Sequence, residues 1–226
     1  MKKAFTMIEL VFVIVVIGIL AAVIIPNTRT NPLYEAATQL VSHIRYTQHL
    51  AMVDDKFDST ADSEWYKKRW QIFFAKTDGS DKHWSYTIFS DIDSGSGYDG
   101  VPNVPEMAIN PLNSSKKLTG GYSSGTIAYG DDDATNELNI GNKYGITNVD
   151  FSDNCKDNSL RIAFDHLGRP LYDGAHLLDD LFRDGVTSRL IQNDISGNPC
   201  IVTLSNSDGN VTIGVEPETG YAHILE

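Results

Sequence analysis

The chain has 226 residues and a formal net charge of -12 at pH 7. Beyond an N-terminal segment of about 30 residues, about 195 remain, which is enough for one domain with a buried core. The acidity argues against nucleic-acid binding as a main function, because phosphate backbones are bound by basic surfaces.

The N-terminus carries a long apolar run that contains one acid. Two lysines precede the run, and residues 5–25 are uncharged apart from Glu9. At about 1.5 Å per residue, a helix of this length reaches about 30 Å, the thickness of the hydrocarbon core of a bilayer. The pattern therefore predicts a transmembrane helix with its N-terminus in the cytoplasm. A secretory signal peptide, the alternative, would have its small-residue cleavage site after the apolar run.

The run opens with the letters F-T-M-I-E-L at residues 5–10, directly after Ala4. This motif resembles the N-terminus of type IV prepilins and type II secretion pseudopilins. The resemblance implies that a prepilin peptidase cuts between Ala4 and Phe5 and methylates the new amino group of Phe5. The chain departs from the commonest family pattern at Ala4, where Gly is more frequent.

Glu9 is the residue of this motif that requires an explanation. A carboxylate within a membrane-crossing helix costs about 2.5–3.5 kcal/mol and usually has a partner. The family resemblance implies that Glu9 of one subunit pairs with the Phe5 ammonium of its neighbour during assembly. The alternative is a tolerated charge near the helix end that reaches the headgroups.

A break in the helix is expected after the apolar run. Pro26 and Pro32 each remove a helical hydrogen bond, and Asn31 can cap a second helix that has Pro32 at its first position. Residues 33–53 repeat apolar side chains at spacings of three and four, which predicts an amphipathic helix. Residues 40–52 resemble the corresponding helix of H-type minor pseudopilins and FimT-like minor pilins.

The remaining chain is predicted to form short strands separated by turns. The expected strands are residues 69–75, 84–90, 148–151, 160–164, 201–204, 211–215 and 221–225, with shorter candidates at 107–109, 126–129 and 137–140. Residues 91–125 fit a long loop or several edge strands, and residues 177–182 fit one helical turn or coil. The expected fold class is α+β, with a long N-terminal transmembrane and stem helix packed on a C-terminal antiparallel β-sheet head, as in pilins.

These boundaries predict four segments. They are a leader at residues 1–4, a transmembrane helix at 5–26, an amphipathic stem helix at 27–55 and a β-rich head at 56–226. The expected location is the bacterial inner membrane, as a single-pass protein with a cytoplasmic N-terminus and a periplasmic head, and a filament after assembly.

The chain contains two cysteines, Cys155 and Cys200, both in the expected head. An even number of cysteines in an oxidising compartment predicts one disulfide. A disulfide between them would close a loop of about 45 residues and stabilise the fold by about 4 kcal/mol in the chain-entropy model. Two free buried thiols are the alternative.

A calcium site is a second hypothesis for the head. Asp91, Asp93 and Asp99 lie in a Gly-rich stretch and offer oxygen ligands to a hard cation. The match to an EF-hand loop is poor, because Pro102 stands where the final Glu is needed. A solvated turn is the alternative, and the three consecutive acids at residues 131–133 raise the same two possibilities.

No catalytic signature accompanies these features. The sequence contains no G-x-S-x-G, H-E-x-x-H, Walker or Rossmann motif, and its six histidines are scattered. The expected function is a structural subunit, a minor pilin or pseudopilin that joins other subunits in a type II secretion pseudopilus or a type IV pilus. Its expected partners are those subunits, the prepilin peptidase and methyltransferase, and the inner membrane. The alternative is a filament-displayed adhesin with a ligand-binding head.

Overall fold

The computed structural model describes residues 5–27, 31–54, 56, 68–92, 99–123, 126–152, 155–156, 160–171 and 199–225. The chain divides into two compact units, Met1–Asn31 and Pro32–Glu226. The predicted leader at residues 1–4 and the segment 177–182 lie outside the described residues.

The regular elements follow one another in a simple order. They are α1 (Met7–Asn27), α2 (Pro32–Val53), β1 (Trp70–Lys76), β2 (Trp84–Ser90), β3 (Ile109–Asn110), β4 (Asn113–Lys117), α3 (Ile140–Tyr144), β5 (Asn148–Phe151), β6 (Arg161–Phe164), β7 (Pro170–Leu171), β8 (Cys200–Asn206), β9 (Gly209–Val215) and β10 (Ala222–Leu225).

The first unit contains α1, which begins at Met7 and continues through Pro26 to Asn27. The start of the helix has a local cause. Thr6 and Glu9 form a capping box, in which each residue satisfies a backbone N–H of the other. The helix therefore begins at Met7, two residues after Phe5, which is the first residue of the apolar run.

The expectation of a long transmembrane and stem helix is wrong. None of the helices in the described ranges combines the length and the apolar character needed to cross a membrane. The lack of such a helix in the described ranges also overturns the expected single-pass location in the inner membrane with a periplasmic head. The helix boundaries agree with the predicted break, since α1 ends at Asn27 and α2 starts at Pro32. The described chain is instead mostly antiparallel sheet.

The second unit begins with α2, which has Pro32 at its first position as predicted. Its buried side chains recur at helical spacing, so they form one continuous stripe. The stripe consists of Leu33, Ala36, Ala37, Leu40, Val41, Ile44, Thr47 and Ala51.

Two four-stranded antiparallel sheets contact α2. The first has the order β2-β1-β6-β7, and the second has the order β10-β9-β8-β5. Their inward-facing side chains join the stripe of α2 in one core, which includes Ile72, Phe74, Tyr86, Ile162, Val202, Leu204, Ile213 and Val215. The helix therefore supplies the shared apolar surface on which both sheets close.

Most of the predicted strands are present, with boundaries that differ by a few residues. The meander β8-β9-β10 and the hairpin β1-β2 lie within a few residues of the predicted positions. The candidate strand at 137–140 is wrong, because this segment forms a 3-10 turn at Asn136–Leu138 and then α3. Residues 126–129 form no strand, and β3 and β4 form a separate hairpin within the stretch 91–125.

Candidate functional site

The N-terminus of α1 carries the residues of the predicted processing and assembly site. The Thr6 N–H donates to Glu9 Oε2 at 3.2 Å, and the Glu9 N–H donates to Thr6 Oγ1 at 3.3 Å. The Thr6 hydroxyl also donates to Glu9 Oε2 at 3.1 Å. Within the described part of the chain these bonds use only Oε2, so Oε1 remains able to accept a hydrogen bond from another molecule.

Phe5 precedes this cap and is 76% exposed. Ala4 lies outside the described residues, as does the remainder of the predicted leader. Pro26 belongs to the last turn of α1. The capping box T-x-x-E is visible in the sequence, and it gives Glu9 a local role that the family resemblance alone did not reveal.

The side chains of α1 that follow the cap are apolar and exposed. The large ones are Met7, Ile8, Leu10, Val11, Phe12, Val13, Ile14, Val15, Val16, Ile17, Ile19 and Leu20. Because these positions are nearly consecutive, they cover every side of the helix. A helix that is apolar on every side is normally buried, and large exposed apolar patches of proteins commonly mark interaction sites.

Cys155 and Cys200 form a disulfide with a Cα–Cα distance of 5.5 Å. Cys200 begins β8, and Cys155 follows β5, the neighbouring strand in the same sheet. Both sulfur-bearing residues are buried. The bond therefore fixes the end of an edge strand and links two parts of the chain that are distant in sequence.

Two of the three predicted calcium ligands lie among the described residues. Asp91 Oδ2 accepts the Gly100 N–H at 2.7 Å, and Asp99 Oδ1 accepts the Val101 N–H at 3.0 Å. The third ligand, Asp93, lies outside the described residues. Within the described ranges, no group of three or more His, Cys, Asp or Glu side chains is placed to hold a metal ion, so calcium binding at these three residues stays a prediction.

Asp91 is nonetheless an unusual carboxyl. Its side chain is fully buried. Burial raises its pKa to about 7, with smaller contributions in the same direction from Glu106 and Asp99, while the Gly100 N–H and Arg161 oppose the shift. The acids at residues 131–133 are exposed, and Asp131 Oδ2 accepts the Ala128 N–H in a turn.

A partly buried chain of polar side chains connects α2 with the head, and sequence reasoning did not identify it. Tyr144 Oη donates to Gln39 Oε1 at 2.7 Å, and Gln39 Nε2 donates to Tyr86 Oη at 2.8 Å. His43 Nδ1 lies 2.7 Å from Tyr86 Oη, and a neutral imidazole protonated on Nε2 accepts the Tyr86 hydroxyl hydrogen there. This order of donors requires a neutral imidazole with its proton on Nε2. Burial lowers the pKa of His43 to about 4, which agrees with that state.

Other polar side chains of α2 reach the turns of both sheets. Gln48 Nε2 donates to the carbonyls of Gly168 and Thr219, each at 2.7 Å. Arg45 donates to the Ala222 carbonyl through two nitrogens, at 3.1 and 2.8 Å. These bonds satisfy carbonyls at loop and strand ends, so they fix the turns against the helix rather than forming a reactive centre.

A small cavity of about 20 Å³ lies near the C-terminal end of α2. Its lining includes Asp54, Lys56, Trp70 and His166. Trp70 Nε1 donates to Asp54 Oδ2 at 2.9 Å, so these two polar groups of the lining already bond to each other. This volume accommodates about one water molecule, so the cavity does not bind a metabolite.

Comparisons with protein-family models, with curated proteins and with solved structures found no match for this chain.

Proposed function

We propose that the chain is a structural subunit of a pilin-type filament, a minor pilin or pseudopilin of a type II secretion pseudopilus or a type IV pilus. The observation that supports this proposal best is α1, whose apolar side chains are exposed on every side. A helix of this kind requires apolar partners around its whole circumference.

The partners that suit α1 are the corresponding helices of neighbouring subunits. Fully burying one Val, Leu, Ile or Phe side chain contributes about 1.5–3 kcal/mol. More than ten such side chains are exposed along α1, so lateral packing of several helices would be strongly favourable. A filament core surrounds each helix with others and covers all its sides.

The charged end of α1 suits the same assembly. Cleavage between Ala4 and Phe5 would create an ammonium group directly before the capping box. Glu9 Oε1 makes no hydrogen bond within the described ranges, so it can accept one from the Phe5 ammonium of a neighbour. Pairing would compensate for burying the carboxylate among apolar helices, since an unpaired charge there is strongly unfavourable.

Mass spectrometry of the chain recovered from filaments tests this proposal. We expect the loss of Met1–Ala4 and one added methyl group on Phe5 after co-expression with a prepilin peptidase. The substitution Ala4→Trp is the control, because a bulky residue at the cleavage position should block processing and leave Met1 in place. Filaments that contain the intact N-terminus, or a chain cut near Pro26, would overturn the proposal.

A further inference from the structure

The hairpin of β8 and β9 carries an acceptor pattern for N-linked sugars close to its tip. Asn210, Val211 and Thr212 form the triplet N-V-T, an Asn followed by a non-proline residue and then by a hydroxyl residue. In an exported protein such a triplet is an acceptor for glycosylation when it lies on the surface. The disulfide between Cys155 and Cys200 is typical of proteins in an oxidising compartment outside the cytoplasm.

The two side chains of the triplet that a glycosyltransferase recognises lie on the outer face of the second sheet. Ile213 and Val215 are buried in the core, and successive side chains of a strand point to opposite faces, so Asn210 and Thr212 face away from the core. Residues 207–210 are exposed. The Asn210 side-chain amide and the Thr212 hydroxyl make no hydrogen bond within the part of the chain that the structure describes. Both groups are therefore available to another molecule.

The tip of this hairpin extends beyond the strands on either side of it. The pairing of β9 with β10 ends at Thr212, and the pairing of β8 with β5 ends at Ser205. In the described ranges, residues 206–211 form ladder pairs only within the hairpin. At its other end, Cys200 pairs with Val215 and is fixed by the disulfide. The tip can therefore open locally and enter an enzyme cleft while the base of the hairpin stays in place.

A second triplet of the same type provides an internal comparison. Residues 113–115 read N-S-S and lie at the start of β4. Asn113 Oδ1 accepts the Ser115 N–H at 3.1 Å and the Ser115 hydroxyl at 2.7 Å. The hydroxyl that a transferase has to bind is thus already bonded within this triplet, whereas the Thr212 hydroxyl is not. The geometry favours Asn210 over Asn113 as the acceptor.

The residue two positions before each Asn distinguishes the triplets further. Asp208 precedes Asn210 at this distance and lies exposed in the turn of the hairpin. Pro111 holds the same position before Asn113 and carries no charge. The Asp208 carboxylate offers an ionic contact to a basic group beside the cleft of a transferase.

We propose that Asn210 is the acceptor of an N-linked oligosaccharide, which a transferase moves from a lipid-linked donor, a polyprenyl diphosphate oligosaccharide. Asn210 Nδ2 attacks the anomeric carbon of the first sugar. A C–N bond forms as the bond between that carbon and the diphosphate oxygen breaks. The electron pair of the broken bond leaves with the lipid diphosphate, and one amide proton passes to a base of the transferase. The glycan then extends from the outer face of the hairpin, away from the core.

Mass spectrometry of peptides from the full chain, purified from the cells that naturally produce it, tests the proposal. We expect the peptide with Asn210 to carry an oligosaccharide and the peptide with Asn113 to be unmodified. Asn210→Gln and Thr212→Val should each lose the glycan, because one removes the acceptor and the other removes the hydroxyl. Thr212→Ser keeps the hydroxyl and should remain glycosylated. Asn113→Gln is the matched control and should leave the glycan unchanged.

Three results would overturn the proposal. The first is an unmodified Asn210 in the original chain, and the second is a glycan that persists in Thr212→Val. The third needs no variant, because fragmentation of the glycopeptide identifies the residue that bears the sugar, and attachment to Ser207 or Thr212 would contradict the proposal. A single sugar on Asn210 would contradict the lipid-linked donor, since a nucleotide sugar supplies one sugar at a time. None of these outcomes depends on filament assembly, so this proposal and the proposed function fail separately.

Discussion

The helices α1 and α2 have nearly equal lengths, 21 and 22 residues, but opposite surroundings. The apolar residues of α2 recur at spacings of three and four, and both sheets of the head cover that stripe. The apolar residues of α1 are almost consecutive and remain exposed up to Leu20. An apolar stripe with spacings of three and four can be covered by partners on one side of the helix, as the two sheets cover α2. A helix that is apolar on every side, such as α1, cannot be covered from one side alone.

The comparison extends to the polar residues. In α2, Gln39, His43 and Gln48 bond to groups of the head and fix the helix on it. In α1, the polar groups at the start bond to each other as a cap. The first arrangement fixes a helix on its domain, and the second fixes only the start of its own helix. Three experiments separate these roles.

The largest effect is expected from truncating a side chain in the buried stripe. Ile44 is fully buried, whereas Ile14 of α1 is 58% exposed. We expect Ile44→Ala to lower the free energy of unfolding of the head by about 2–5 kcal/mol, and Ile14→Ala to change it by less than about 0.5 kcal/mol. All three tryptophans follow α2 in the sequence, so their fluorescence during urea unfolding reports on the head. A loss for Ile14→Ala equal to that for Ile44→Ala would contradict the comparison.

The second experiment separates the two roles of Glu9. Glu9→Gln keeps the capping box, since Gln also fits its last position, but removes the charge. Thr6→Ala removes the capping hydroxyl and keeps the charge. If Glu9 pairs with an ammonium group, losing a charged hydrogen bond of about 1.5–3 kcal/mol should reduce filament incorporation of Glu9→Gln about ten- to a hundredfold.

The measurement is the amount of each variant in sheared filaments, divided by its total amount in the cells. We expect Thr6→Ala to be incorporated at close to the original level. Normal incorporation of Glu9→Gln together with a defect in Thr6→Ala would show that the cap matters and that pairing does not.

The same comparison explains which features the sequence could predict. Aromatic and β-branched residues identified β1 and β2, and alternation with tight turns identified the meander β8-β9-β10. The strand β4 reads N-S-S-K-K and has no buried face, so no periodicity revealed it. The helix α3 has an Asn139 N-cap and a left-handed Gly145 at its end, signals that outweighed the β-like composition of residues 137–140.

The site was predicted less completely than the strands. The cysteine count predicted one disulfide, and the structure contains it. The transmembrane helix was inferred from the apolar run and the lysines before it, and no helix in the described ranges meets the requirements for a membrane span. Asp91 is buried and accepts the N–H of Gly100, which lies nine residues further along the chain. A contact of this kind between distant residues has no local signal in the sequence.

The smallest effect concerns the protonation of His43. Burial lowers its pKa from 6.5 to about 4. Between these pH values the imidazole is protonated in the unfolded chain but neutral in the folded protein. Stability from this residue is therefore present above pH 6.5 and is lost as the pH falls toward 4. Between pH 6.5 and pH 5 the loss should be about 1.5 kcal/mol.

Asp91 acts in the opposite direction over part of this range, since burial raises its pKa and the protonated carboxyl favours the folded state at acidic pH. The total pH dependence of unfolding therefore does not isolate His43, and a difference between two chains is needed. His43→Gln retains an acceptor for the Tyr86 hydroxyl but cannot titrate. Subtracting its unfolding free energy from that of the original chain at each pH cancels the contribution of Asp91, and the difference should decline by about 1.5 kcal/mol from pH 6.5 to pH 5. A difference that stays constant would mean that the hydrogen bond between Tyr86 and His43 does not depend on a neutral imidazole.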